Sequence, residues 1–460
     1  MLVLPLHSGI AGFFKFLKML LEQIIIYGAV GLLCLIVVMI YLRKLKKASQ
    51  ETEAKVEKAK EEGLFEPVSL HPVIDLNKCI KSAACVAACP EKDILGIVNG
   101  KGTLVNASNC VGHGACFHAC PVDAISLVIG TEKRGVDLPH VSEEYETNVP
   151  GIFIAGELGG MGLIKNSVEQ GKAAIENMVK KGLKKGGNSY DVIIVGAGPA
   201  GISATLMAKK LGLKFLTLEQ DSLGGTVYTF PRSKIVMTSP MDLPLYGKVK
   251  LTDTSKDELL TLWNEVLGKN DITIQEHTKV ESIEHDENHF KLITQKGDTF
   301  VTKRVLLAIG RRGSPRKLNV PGEMQQKVAY RLLEPENISG KEVLVVGGGD
   351  SAVEAALLLA EQNNVVLSYR KDAFSRIKPK NREKIHRAIE QQLVDVQFQT
   401  NVAKIGSEEV ILTDGDLSDE KKLKNDLVYI FAGGELPTKF LEKAGIQITK
   451  RFGYTMKRHN

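Results

Sequence analysis

The chain has 460 residues, 43% hydrophobic and 25% charged, which leaves room for two to four domains and none for a largely disordered protein. A net charge of +6, from 60 basic and 54 acidic residues, is too even for a nucleic-acid reader, which shows a concentrated basic face. Of seven cysteines, six fall between Cys79 and Cys120, a crowding that points to metal ligands in a reducing compartment rather than disulfides.

Residues 24–42, IIIYGAVGLLCLIVVMIYL, carry no charge and match the ~30 Å of hydrocarbon that a single helix must span. A cleaved signal would have an apolar core of only ~7–15 residues ending in a small-residue cleavage site, and neither feature is present. Arg43, Lys44, Lys46 and Lys47 follow the run, against Lys15, Lys18 and Glu22 before it. This bias predicts a single-pass anchor in the cytoplasmic membrane, with everything beyond residue 43 in the cytoplasm. The early FFKFLKML reads either as a segment lying along the interface or as a continuation of the anchor. Residues 44–66 read as a charged helical stalk, and 48–63 show no core-forming face, so this stretch is expected to be solvated.

Two segments then share one pattern. Cys79-IKS-AA-Cys85-VAA-Cys89-Pro90 is followed by Cys110-VGH-GA-Cys116-FHA-Cys120-Pro121, with a hairpin expected around Asn99–Gly102 between them. The repeat resembles the bacterial dicluster ferredoxin run C-x2-C-x2-C-x3-C-P written twice, over residues 67–130. Structural zinc is the rival, but zinc sites favour CxxC pairs. In each repeat the second cysteine is replaced, by Ser82 and by His113. The resemblance implies that the fourth cysteine of each run serves the other cluster. Cys79, Cys85 and Cys120 then form one site, and Cys89, Cys110 and Cys116 the other. Three thiolates permit [3Fe-4S], or [4Fe-4S] with serine, imidazole or water on the fourth iron. His113 is a candidate ligand; it and Ser82 are otherwise outer hydrogen-bonding groups. His118 is expected to face solvent.

Further along, Val192–Val195 runs into Gly196-Ala-Gly198-Pro199-Ala200-Gly201 and an alanine-rich helix, and a second strand ends in Glu219. Glycines there let backbone approach a pyrophosphate at the helix N-terminus, and the acid binds ribose hydroxyls. A second unit follows at KEVLVVGGGDSAVE. Val343–Val346 enters Gly347-Gly348-Gly349, then Asp350 and Ser351, with Ala352 at the third-glycine place. Its second strand ends not in an acid but in Tyr369, Arg370 and Lys371, with Arg376 behind. A guanidinium accepts a 2′-phosphate that a carboxylate would repel, which favours NADPH over NADH; the rival reading is a solvated loop charge.

Two such units with LLAIG (306–310) and VPGE (320–323) between them resemble the thioredoxin-reductase-like two-dinucleotide flavoprotein reductases, including the bacillithiol-disulfide reductases. The resemblance covers roughly 136–460. It implies an α/β fold with two Rossmann-like domains, for FAD (188–310) and NAD(P)H (311–428), a return to the FAD domain over 429–460, and LGGT contacts to flavin from Gly224, Gly225 and Thr226. The redox CxxC of thioredoxin reductases is missing: no cysteine follows Cys120. The family's closing element, of the type PGIFAAGD…QG..AA, stands instead at 149–178 as VPGIFIAGELGGMGLIKNSVEQGKAAIENM, ahead of the first glycine motif. A circularly permuted FAD domain explains this. Residues 131–187 would be its displaced part, with Gly156, Glu157 (in place of the family's aspartate) and Gln170 near the flavin, and GLKKGGNS (182–189) as the bridge. The rival is an ordinary linker subdomain.

These parts together predict a membrane-anchored NAD(P)H-dependent oxidoreductase using FAD and two iron–sulfur clusters. Hydride would pass from NADPH to flavin and single electrons between flavin and clusters, with no catalytic side chain required. Its partner would be a quinone, cytochrome or ferredoxin-like carrier, with flow in either direction. Alternatives are a small-molecule disulfide reductase and a non-enzymatic membrane redox sensor. Lipid is expected as a partner through the one helix, nucleic acid is not, and a homodimer is left open.

Overall fold

One uninterrupted helix, His7–Glu61, opens the chain. The computed structural model describes residues 7–458 except 62–64, 68–69, 92, 231–234, 239, 252, 287–288, 312–313, 375–376 and 415–419. From Met19 to Leu42 the large apolar side chains of this helix are 41–72% exposed. Among the described residues it is the one helix long and apolar enough to cross a membrane.

Past the apolar run the helix is not the fully solvated stalk expected. Leu45, Ser49, Thr52, Val56 and Ala59 are its less exposed positions, a spacing of four and three that forms one stripe. Ser49 Oγ accepts a hydrogen bond from the Asn99 N–H at 2.9 Å. Lys55 pairs with Asp93 at 2.7 Å, and Ala59 is buried. Small side chains, which carry little hydrophobic signal in sequence, let the hairpin backbone come close.

That hairpin, Leu95–Val98 with Lys101–Leu104, turns at Asn99 and Gly100. Both have positive φ, the conformation of a two-residue type I′ turn. Flanking it are two short helices, Ala84–Ala88 and Ala115–Ala119, at equivalent places in the two cysteine repeats. Strand His71–Ile74 pairs antiparallel with Ile125–Ile129. The third strand of this small sheet is the end of the chain: Tyr454–Lys457 pairs with the other edge of Ile125–Ile129, and Ile448–Arg451 pairs with Val136–Pro139.

The flavin-type sheet is built around Tyr190–Val195. Phe215–Leu218 lies parallel on one side and Thr299–Leu307 on the other. Ile152–Ile154, although earlier in the chain, runs parallel to Val305–Leu307 as the next strand. Behind it, Ile164–Lys180 packs against the glycine-motif helix Pro199–Lys210, where a Cβ on Gly171 would meet the Ala200 carbonyl oxygen at 2.0 Å. Ala174, Ile175 and Met178 thereby join Val192, Ile194 and Leu306 in one core. Residues 152–180 thus complete the sheet and one of its covering layers. The bridge is clamped where it enters the sheet: Lys303 Nζ donates to the carbonyls of Lys184 and Gly186 and to Asp191 at 2.8 Å.

The second sheet is wholly parallel, in the order Val328–Ala329, Leu427–Ile430, Glu342–Val346, Asn364–Tyr369, Val394–Phe398. The boundary expected after residue 428 falls inside its strand Leu427–Ile430. Leu441 and Ile446 then return to the core of the flavin half before the chain ends in the ferredoxin-like sheet. The whole is the expected mixed α/β architecture with an N-terminal iron–sulfur-type domain.

Candidate flavin, nucleotide and iron–sulfur sites

In the first glycine loop, Gly196 has φ +105, and a Cβ on Gly201 would sit 1.8 Å from the Gly196 carbonyl oxygen. Only glycine allows this strand and helix to approach so closely. Helix Pro199–Lys210 starts at Gly198 with no side-chain cap, and a Cβ at Gly198 would meet nothing within 4 Å. An uncapped helix start of this kind suits a pyrophosphate. Glu219 is buried, one carboxylate oxygen accepting from the Ala197 N–H at 2.7 Å and the other from the Asp221 N–H at 3.0 Å. Burial pushes its pKa up, opposed by those two amides. An acid held at the loop mouth by the loop's own backbone fits a ribose diol.

Two further pieces converge on that helix start. Gly224 donates to the Ala197 carbonyl at 3.0 Å, and a Cβ on Gly225 would lie 3.3 Å from Gly198 Cα; Thr226 is exposed. From the earlier segment, Gly156 has φ +88 and faces Ala200, while its N–H donates to the buried Gln170 Oε1 at 2.8 Å. Glu157 follows, half-buried. Arg311, which sequence reasoning missed, acts on it: burial lowers the guanidinium pKa, and Glu157 and Asp137 oppose. The residues fit an FAD.

At the second loop Gly347 (φ +143) lies against the Phe431 carbonyl, and Gly349 caps helix Asp350–Leu359 through backbone alone. Ser351 and the buried Ala352 fall in the first turn. Asp350 is engaged inside the protein, accepting from the Lys378 N–H at 2.8 Å and Asn381 Nδ2 at 2.7 Å. Arg370 and Lys371 are exposed at the strand end, and Arg376 lies outside the described residues. Tyr369 was not assigned a contact from sequence; its ring would be 2.2 Å from a Cβ on Gly348 and stacks on Phe374.

The six cysteines lie close together, and their mutual influence crosses the two groups that the ferredoxin resemblance implies, since Cys85 acts on both Cys89 and Cys116. Burial raises the Cys85 thiol pKa, and Cys120 and Cys79 add to the rise. Burial pushes Cys110 up to about 11, with Cys89 reinforcing, and Cys116 up to about 12, with Cys110 and Cys89 reinforcing. Cys89, Cys110, Cys116 and His113 line one shared pocket. His113 Nδ1 accepts from the Ala115 N–H at 3.4 Å, which leaves Nε2. Burial lowers its pKa, Glu91 opposing and Lys165 reinforcing. In the other group Cys79 Sγ accepts from the Gly102 N–H at 3.4 Å and Cys120 Sγ from the Ala124 N–H at 3.3 Å. These amides suit thiolates. Ser82 is exposed, its hydroxyl accepting from the Ala84 N–H, and His118 is exposed too.

Among the described residues no three His, Cys, Asp or Glu side chains converge on a single ion. Lys81 and Ala83 have positive φ, as do Gly112 and Gly114 at the matching places in the second repeat. Non-glycine residues held there cost ~1–2 kcal/mol each, and such a curl suits a loop wrapping a cluster edge.

Comparison with known proteins agrees with this geometry. The pyridine nucleotide-disulphide oxidoreductase family model matches residues 193–458. The chain belongs to that family. A 4Fe-4S dicluster domain matches residues 71–121. Among relatives, bacilliredoxin reductase Bdr of Bacillus subtilis (strain 168) is 28% identical over 266 residues, 57% of this chain and 82% of the relative. Ferredoxin–NADP reductase 1 of Bacillus licheniformis is 31% identical over 279 residues, 57% of this chain and 74% of that protein. Among solved structures, the bacillithiol disulfide reductase Bdr (YpdA) of Bacillus cereus superposes with TM-score 0.51 at 25% identity, over 59% of this chain and 86% of its own. The chain is a thioredoxin-reductase-like FAD-dependent oxidoreductase that also carries a ferredoxin-like iron–sulfur domain.

Proposed function

We propose that this protein is a membrane-anchored, NADPH-dependent oxidoreductase holding FAD and two iron–sulfur clusters, and that it exchanges electrons with a separate redox partner of the quinone, cytochrome or ferredoxin-like kind. The observation that carries the reading is the direct seating of the cysteine half on the flavin half. The closing strand Tyr454–Lys457 belongs to the cysteine half's sheet, and Met161, four residues after Glu157, packs into the same core. When bound, the flavin would take hydride from nicotinamide and the clusters would carry single electrons.

The chain's own residues bind and orient. Gly198 and the uncapped helix start receive the pyrophosphate, Glu219 the ribose, Arg370 and Lys371 the 2′-phosphate of NADPH. Cys79, Cys85 and Cys120 hold one cluster; Cys89, Cys110 and Cys116, beside His113, hold the other. Gly156, Glu157 and Gln170 reach the flavin from a displaced C-terminal element, as in a permuted FAD domain; the pairing of Ile152–Ile154 with Val305–Leu307 supports this. The apolar helix serves as a single anchor. Ferredoxin–NADP reductase relatives favour a one-electron carrier, whereas a disulfide partner has no cysteine after Cys120 to meet it.

In Cys85→Ala, NADPH should still reduce the flavin, while reduction of a quinone analogue disappears. Loss of both would make the cysteines structural. Turnover of NADPH with a low-molecular-weight disulfide, undiminished in that variant, would favour the disulfide-reductase reading.

A further inference from the structure

The two thiol groups share one core but differ in exposure, Cys116 being buried in it and Cys79 lying outside it. The core that carries the buried Cys116 meets the flavin half: a Cβ on Gly160 would touch Leu138, Ile129 and Met456 at 3.2–3.4 Å. Met161 packs on that core, and the Lys165 ammonium is near enough to act on His113. The group of Cys79, Cys85 and Cys120 is the outer one. Beside Cys79, Ile80 is 63% exposed and Leu76 54%, with Lys78 and Lys81 also exposed. A lone exposed apolar side chain needs no explanation, but two beside a cluster loop rimmed by lysines form a patch.

The stalk fixes where this patch lies. The Asn99 N–H donates to Ser49 Oγ, and the Lys81 side chain lies 3.5 Å from the Cβ position of the neighbouring Gly100. Lys101 Nζ donates to the Cys79 carbonyl at 2.9 Å. The loop Cys79–Lys81 therefore stands at the level of Ser49 on the helix. Ser49 follows Leu42, the end of the apolar run, by seven residues, a rise of about 10 Å. The headgroup layer fills roughly 5–8 Å of that distance. A folded partner, with a radius of gyration of ~13 Å for 100 residues, has no room in the remainder.

We infer that the outer thiol site faces the bilayer, with Ile80 set among the headgroups and Lys78 and Lys81 against anionic lipid phosphates. Apolar contact and basic charge then act together, as at other lipid surfaces. The inference rests on the reading of residues 24–42 as a membrane span. It puts the outer site within reach of lipid-dissolved molecules and out of reach of water-soluble proteins.

The test uses the full chain in phosphatidylcholine–phosphatidylglycerol vesicles in which part of the phosphatidylcholine carries a headgroup nitroxide. Tryptophan reporters are placed one at a time as Leu42→Trp, Ile80→Trp and Leu393→Trp, the last an exposed site on the nucleotide half. The emission of the buried Trp263, measured on the parent chain, is subtracted. Nitroxide lipid should remove most of the Leu42→Trp and Ile80→Trp emission and leave Leu393→Trp unchanged, and adding Lys81→Glu should restore part of the Ile80→Trp signal. Quenching of Leu42→Trp without Ile80→Trp would overturn the inference while sparing the anchor. Absence of quenching at Leu42→Trp would remove the anchor, and the inference with it.

Discussion

The two dinucleotide units share one plan and differ in how much of the site the protein builds for itself. The first keeps glycine at the third position and holds a buried Glu219 by two backbone amides. The second accepts Ala352 there and ends its second strand in exposed Arg370 and Lys371. A tightly retained flavin calls for a preformed, desolvated cradle, whereas a nicotinamide nucleotide that comes and goes is met by exposed surface cations. Exposed charges contribute specificity and encounter more than stability.

The comparison breaks first at the third glycine. Gly201→Ala drives a methyl to 1.8 Å from a carbonyl oxygen and should yield colourless protein with little bound FAD and a clearly lowered melting temperature. Ala352→Gly, the reciprocal change, should cost only about 1 kcal/mol of helix propensity and keep the yellow colour. If both variants retain flavin equally, the two loops are not distinguished by packing.

A smaller effect is expected at the first strands. Asp191 is fully buried and pairs with Lys303 at 2.8 Å. Burial alone would raise its pKa, but Lys303 and the Lys214 and Gly186 amides outweigh that and hold the carboxyl below its usual range. A depressed folded pKa stabilises above the unfolded value of about 3.9 and loses that contribution as pH falls through the folded one. Asp191→Ala should therefore cost roughly 3–5 kcal/mol at neutral pH, and the gap to the parent should narrow in acid denaturation. Its counterpart in the second unit, the exposed contact of Asp426 with the Glu342 N–H, should be worth about 1 kcal/mol. Equal losses at the two positions would mean that the bridge clamp is incidental.

Smaller again is Arg370→Ala. Removing one charge-assisted hydrogen bond costs ~1.5–3 kcal/mol, so KM for NADPH should rise about tenfold to a hundredfold, with KM for NADH nearly unchanged. Equal rises would take the phosphate role from Arg370.

Much of this was legible in the sequence because the signals were local. The glycine loops, the doubled cysteine run and the Asn99-Gly100 turn all fix backbone within a few residues. The segment 149–178 was legible as a strand and helix of the flavin half, and Ile152–Ile154 and Ile164–Lys180 do join that sheet and its core. The stalk's docking stripe was not, since Ser49, Thr52 and Ala59 carry almost no hydrophobic contrast. Nor was the final strand Tyr454–Lys457, whose partner Ile125–Ile129 lies more than three hundred residues earlier; a β-pairing of that span leaves no trace in local pattern. Arg311 was missed for the same reason, because its meaning depends on Glu157 and Asp137, which lie far before it in the sequence.

Low-temperature EPR of the purified full chain, as isolated and after anaerobic addition of NADPH, bears most directly on the central claim that pyridine nucleotide, flavin and both thiol sites form one connected system. The account predicts iron–sulfur signals from two centres, both changing on NADPH addition, with one centre lost in Cys85→Ala and the other in Cys116→Ala. Iron-free protein, or clusters that NADPH leaves untouched while the flavin bleaches, would contradict it.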